Sequence, residues 1–272
     1  MNNNNLPPLP GQQTNSGNAY DSYARQQASA GYSAMDQYRM QQQGRSYALE
    51  EQTLKEYMTR VMSRVYLKMF LGLLVTAVAA LFLVSRPSVL YTIFSNQIIF
   101  WGIMIGELAI VFIVSGMINK LSTTTATLLF YLYALLNGVV FASVFFAYDL
   151  GSIGLTFGVT SAVFLAMSIY GYVTKADLTK MGSILIMALI GIIIASIVNI
   201  FLASSSLDWI ISIGGVIIFV GLTAWDTQKI KQMAMETDEA NVGKLATIGA
   251  LSLYLDFINL FLYLLRFFGR RN

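Results

Sequence analysis

The sequence predicts an all-α integral membrane protein: a bundle of seven membrane-spanning helices with the C-terminal helix at its centre, preceded by a disordered polar tail. Three observations predict it. The 272 residues are 56% hydrophobic and only 11% charged, against roughly 25% charged residues in soluble domains. Seven apolar runs, each close to the ~20 residues that a bilayer core requires, follow one another with short connections. The last run carries a carboxylate near its middle, which lipid would reject at about 2.5 kcal/mol or more, so that helix must turn its polar face to protein or water.

Composition also excludes chemistry. With no Cys and no His, thiolate nucleophiles, disulfides, zinc centres and imidazole acid-base catalysis are ruled out. The net charge of +3 comes mostly from residues outside the apolar runs, so it reports membrane topology and not a nucleic-acid partner. No cofactor is expected. No cleavable leader is expected either, because about sixty polar residues precede the first apolar run.

Residues 1–48 begin MNNNNLPPLPGQQ and are rich in Asn, Gln, Ser, Gly and Tyr. They hold too little apolar material for a core and are expected to be a disordered tail. Its tyrosines (Tyr20, Tyr23, Tyr32, Tyr38, Tyr47) fit a solvated linker, with a docking role as the alternative. Residues 49–65, LEEQTLKEYMTRVMSRV, place Leu54, Met58, Val61, Met62 and Val65 at helical spacing between charges. That pattern predicts an amphipathic helix lying in the membrane interface.

The membrane domain is 66–272. Its spans are expected at 66–85, 98–117, 125–147, 152–173, 183–203, 209–229 and 246–266. None shows the period-two alternation of a β-barrel strand. Basic residues concentrate in the N-terminal region and in the second, fourth and sixth connections (Lys120, Lys175, Lys180, Lys229, Lys231, Lys244). The positive-inside bias therefore puts the N-terminus in the cytoplasm. Seven full crossings then place Arg270 and Arg271 outside, and a last segment that re-enters and returns is the alternative. Gly102 and Gly106, and Gly154 and Gly158, have the spacing that allows helices to approach closely; packing inside the bundle is the expected use, a dimer interface the other.

In the seventh span, Gly249, Ser252, Asp256, Asn259, Tyr263 and Arg266 follow at steps of three and four, one stripe along a helix. Acids also lie deep in two other spans, Glu107 in the second and Asp226 in the sixth. Such carboxylates must share protons, hold a cation or reach water. Counted from the span ends, Asp226 lies about 5 Å and Asp256 about 15 Å into the membrane, and a sixth helix that ends late brings them together. Sharing one proton, the two would form a pH sensor. Asp226, Asp256 and Asn259 also offer the oxygen ligands of a weak calcium site, and weak binding suits conduction. Glu107, Asn259, Ser252 and Tyr263 are expected as a secondary polar pathway. The bland alternative for each acid is a structural carboxyl held by neighbouring hydroxyls or amides.

Three segments resemble bacterial members of the transmembrane Bax inhibitor motif family: ALSLYLDFINLFLYLLRFFG at 250–269, AWDTQKIK at 224–231 and SIYGYVTKADLTKMG at 168–182. The resemblance covers roughly 60–272. It implies a seven-helix fold whose last helix is wrapped by the other six, and a pH-sensitive calcium leak in which Asp226 and Asp256 sense protons. Family members can latch the sixth-helix aspartate with a basic residue at the end of the second helix; here SGMINKLS offers Lys120. Eukaryotic relatives are linked to suppression of cell death and some bacterial ones to restraint of a membrane-bound protease.

Two functions follow as expectations. The first is a proton-gated calcium leak channel or transporter, with calcium as the permeant ion and the lipid bilayer as surroundings. The second is a non-conducting partner of other membrane proteins, such as a membrane protease, in a stress or cell-death response. A bacterial inner membrane is the expected location. An intramembrane enzyme is not expected, since no metal ligands or known protease motif flank the aspartates.

Overall fold

The computed structural model describes residues 16–118 and 120–271. Among the described residues seven helices are long and apolar enough to cross a membrane, and the chain is an all-α membrane protein. In chain order the helices are α1 (Ser16–Val84), α2 (Pro87–Ser95), α3 (Gln97–Met117), α4 (Thr123–Ala142), α5 (Val144–Ala147), α6 (Leu150–Val173), α7 (Thr179–Leu202), α8 (Ser205–Glu236) and α9 (Val242–Phe268). A 3-10 turn, Glu239–Asn241, precedes α9.

The chain divides into two units after Glu56. In the first, residues 1–15 of the expected tail lie outside the described residues. From Ser16 onward the backbone is helical, where a disordered tail was expected. The reason is local: the four prolines stand at 7, 8, 10 and 87, so α1 contains none, and Ala, Gln, Met and Arg favour helix. Its described side chains from Asp36 to Glu56 are exposed, so this stretch is a solvated helix without a core.

The second unit starts at Tyr57. Residues 49–65 do not form a separate surface helix but run into the first span. The stripe expected to face lipid headgroups meets protein instead: Met58 and Val61 pack with Ala234, Val242 and Leu245, because burying apolar area against protein is as favourable as burying it in the interface. Tyr57 Oη donates to Thr237 O at 2.7 Å.

Apart from the long N-terminal extension of α1 and the late end of α8, the span ends match the apolar runs within about four residues, and the polar residues at their ends explain where they begin. Asn96 accepts from the amides of Ile98 and Ile99 at the start of α3. Ser122 caps α4, Asp149 caps α6 and Ser204 caps α8. Pro87 opens the short helix α2, and Leu90 packs there on Leu83 and Ala142. The third span bends at Ser143, whose hydroxyl takes the carbonyl of Val140 at 2.7 Å.

The centre is α9. Ala246, Ala250, Leu251, Leu253, Tyr254 and Leu260 are each 0–1% exposed, along one broad face of the helix. Phe257 and Phe261 interlock with Phe157 and Phe164 of α6 and Phe141 of α4. At the far end Asp149 N donates to Arg270 O at 3.0 Å and Arg270 N to Ser152 Oγ at 3.1 Å. The start of α9 lies with Thr123 and Thr127 at the opening of α4, and its end at the α5–α6 connection, so the seventh helix makes a full crossing and does not turn back.

The glycine pairs behave differently from the expectation. A methyl group added at Gly102, Gly154 or Gly158 meets nothing within 4 Å, and at Gly106 only Leu136 at 3.8 Å. The close approaches are elsewhere: a methyl at Gly171 would collide with the Ala224 carbonyl, and one at Gly182 with the Trp225 ring. Spacing permits close packing but does not choose the partner.

Candidate functional site

The polar stripe of α9 is its contact with α8, and the two helices run antiparallel along it. Gly249 lies against Ile230. A turn higher, Ser252 lies beside the side chain of Asp226. Higher still, the Tyr263 ring lies on Gly215 and stacks on Phe219, with centroids 5.8 Å apart. Arg266 meets Asp208 at 3.4 Å near the far surface. Steps of three and four on α9 thus read against descending numbers on α8.

Asp256 belongs to this stripe. It is 4% exposed and Asp226 is 9% exposed, and the two carboxyls interact electrostatically. They come together because α8 continues to Glu236, past the expected end at 229, which carries Asp226 down the α9 surface to Ser252. Asp256 Oδ2 is shielded and has no hydrogen-bond partner among the described residues. A buried acceptor left open in this way is either protonated or awaits a cation or water.

The surroundings are ordered on the N-terminal side of the pair. The Lys229 ammonium sits 4.8 Å from the centre of the Trp225 ring, and Lys229 is the cation that acts on Asp226. Gln228 holds the α6–α7 connection by two bonds, accepting from Leu178 N at 2.9 Å and donating to Ala176 O at 2.8 Å. Lys231 donates to Tyr172 O at 2.8 Å. Gln228 stands among Asp226, Thr227 and Lys229 at the end of the expected sixth span, so nothing in the sequence sets it apart.

Other candidates lie elsewhere. Lys120, the expected latch, is exposed past the end of α3, and the cation at Asp226 comes instead from its own helix one turn on. Asn259 Nδ2 donates to Leu255 O of its own helix at 2.8 Å. Tyr263 is a packing residue of the α8–α9 seam. Glu107 is not joined to the aspartates: it acts on Tyr133 and Tyr254, on other sides of the bundle. Lys68, not singled out by the sequence, is half-buried and donates to Thr127 Oγ1 at 2.7 Å, Thr247 Oγ1 at 2.6 Å and Gly243 O at 3.4 Å. It ties α1, α4 and α9 together at their N-terminal side. Among the described residues no group of three acidic side chains converges.

Fold and site together define a multi-pass integral membrane protein with a buried pair of carboxyls between its central helix and a neighbour. The family profile described as "Inhibitor of apoptosis-promoting Bax1" matches residues 58–272, and the chain belongs to that family. It is 49% identical over 214 residues to the inner membrane protein YbhL of Escherichia coli, covering 78% of this chain and 92% of that one. An uncharacterized protein of Borreliella burgdorferi is 49% identical over 215 residues, 78% of this chain and 93% of the relative. The uncharacterized protein RP147 of Rickettsia prowazekii is 45% identical over 226 residues, 82% and 94% respectively.

Proposed function

We propose that this chain is a proton-regulated calcium leak of a bacterial inner membrane, with Asp226 and Asp256 serving as both proton sensor and weak cation site. One observation carries the reading: two buried carboxyls on facing helices interact, and the deeper one has an open oxygen. Two negative charges match a divalent cation, and hard oxygen ligands suit calcium. Only two carboxylates without a dedicated loop hold such an ion loosely, as passage requires. A shared proton removes the attraction, so acidification changes permeation. The similarity to an inner membrane protein supports the location, and the basic residues on the N-terminal side support a cytoplasmic N-terminus.

The test is calcium flux through purified protein in liposomes between about pH 6 and pH 8, a range that brackets neutrality. Flux that follows pH in the wild type, and loses its pH dependence in Asp226→Asn and Asp256→Asn, supports the proposal. No flux, or the same pH response in both variants, overturns it. The second reading, a non-conducting partner of a membrane protease or of a stress pathway, has its own observation in the exposed helical stretch from Asp36 to Glu56. Removing residues 1–48 leaves flux intact on the first reading and abolishes function on the second.

A further inference from the structure

The helices α1 and α6 leave a seam between them. On α1, Thr59, Ser63, Tyr66, Phe70, Leu73 and Ala77 follow at steps of three and four, one stripe along the helix. The first three border a groove of about 570 Å³ whose other wall includes Ser168 and Tyr172 of α6. The last three border a cavity of about 220 Å³, walled by Phe157 of the same α6 and by Phe257 of α9.

The two halves of the seam differ in chemistry. Around the cavity every side chain is hydrocarbon or aromatic except Thr76, whose hydroxyl is already engaged by Ala134 O and Tyr254. The groove carries hydroxyls from both helices. Among them Ser168 is 3% exposed, and its oxygen has no hydrogen-bond partner among the described residues. Rotation about one bond turns such a hydroxyl toward an acceptor in the groove. A turn nearer the N-terminal side, half-buried Lys231 donates to Tyr172 O at 2.8 Å, and its ammonium lies 5.0 Å from the centre of the Tyr172 ring. Among the described residues Lys231 makes no ion pair with a carboxylate. A half-buried cation without a counter-ion and an open hydroxyl one turn deeper select an anionic oxygen ligand. Depth then selects its other end. Tyr66 and Tyr172 mark the interfacial level, where amphipathic rings collect, and Leu73 lies about 15 Å along α1 from Ser63, half the thickness of a bilayer core. An anion at the groove and an apolar chain reaching the cavity are two ends of one lipid in the leaflet on the N-terminal side.

We propose that the seam between α1 and α6 binds one anionic phospholipid, its phosphate at Lys231 and Ser168 and one acyl chain in the cavity bounded by Phe157 and Phe257. A zwitterionic lipid brings its own cation and has no net charge to match Lys231. A free phosphate leaves the apolar cavity unfilled. The site stands on observations separate from Asp226 and Asp256.

Native mass spectrometry of the full-length protein, purified in detergent and mixed with dioleoyl phosphatidylglycerol or dioleoyl phosphatidylcholine, counts the lipids that stay bound. Thermal unfolding in the same mixtures reads affinity, because a ligand of the folded state raises Tm with its concentration. The wild type is expected to keep one phosphatidylglycerol per chain and to rise saturably in Tm, with phosphatidylcholine bound at least about tenfold more weakly. Ala77→Phe fills the cavity from an exposed position on α1 and is expected to weaken both lipids. Lys231→Gln is expected to abolish the preference between them, and Ser168→Ala to weaken phosphatidylglycerol. Retention of no lipid, equal affinity of the wild type for the two lipids, or unchanged binding in both Ala77→Phe and Lys231→Gln overturns the proposal. So does a Tm rise that inorganic phosphate alone reproduces.

Discussion

Tyr254 and Asp256 stand two residues apart on α9 and face opposite sides of it: the first hydrogen-bonds Thr76 of α1, and the second lies beside Asp226 of α8. Two residues are a rotation of about 200° and a rise of about 3 Å, so the central helix presents polar groups to both flanks at one depth. A displacement of α9 disturbs both flanks together.

Asp226 and Asp256 act as one unit if they share a proton. The effects of Asp226→Asn and Asp256→Asn on the pH response of calcium flux are then non-additive, and the double variant is expected to match either single one. Flux measured in liposomes for the three variants checks this, and a double variant that falls well beyond the sum excludes a shared proton.

Gly171 lies where any side chain would strike the backbone of α8 at Ala224. Gly171→Val is expected to destabilise the folded protein by about 1–3 kcal/mol or more through overpacking, seen as a lower Tm. Gly154→Ala and Gly158→Ala, which meet open space, are expected to leave Tm nearly unchanged.

Lys68 has three oxygen acceptors from two other helices. Lys68→Met keeps the length of the chain but removes those bonds, with an expected loss of about 1–3 kcal/mol. Thr127 and Thr247 still face one another at 3.1 Å, so the loss should be smaller than that of the double variant Thr127→Val, Thr247→Val with Lys68 left in place. Thermal unfolding ranks the two.

Gln228 anchors the α6–α7 connection through Ala176 and Leu178. Gln228→Leu leaves both backbone groups without that partner, and amide exchange at 174–178 is expected to quicken while α9 keeps its protection. Exchange that quickens equally throughout would show global loss of stability in place of local release.

Asp177 is exposed at the start of α7, and its bonds from the Thr179 side chain and amide hold its carboxyl below the usual carboxylate pKa. A depressed folded-state value means that the support it gives is complete above the unfolded value and is lost as pH falls through the lower, folded one. Exchange of the Thr179 amide, corrected for its intrinsic pH dependence, is expected to quicken below about pH 4. In Asp177→Asn that acid-dependent step should vanish.

Much of this molecule is readable from residue order, and the parts that are not share a cause. The apolar runs and the stripe on the last helix are periodic within one segment, so Asp256 and Ser252 announce a buried face before any partner is known. The partner on α8 follows only once the end of that helix is fixed, and an apolar window cut at 229 stops short of Glu236. Tyr254 reads as part of the apolar face, because its polar tip matters only after Thr76, Tyr133 and Glu107 arrive from three other helices. Glu107 is legible as a buried acid, yet its side of the bundle is a property of packing. The glycine pairs mislead for the same reason: a gap on one surface says nothing of what fills it. The tail lacks apolar residues, which decides that it has no core of its own and leaves its backbone conformation open.

The helix around which the others pack is also the last of the seven to leave the ribosome. Until it inserts, Asp226 lacks both Ser252 and Asp256, and the aromatic rings of α4 and α6 have no Phe257 or Phe261 to close on. The first six spans therefore wait in the bilayer around an unfilled axis, and a chain cut short before residue 246 would be left with an acid turned toward lipid or water. For this protein the insertion of the seventh span is also the step that builds the interior.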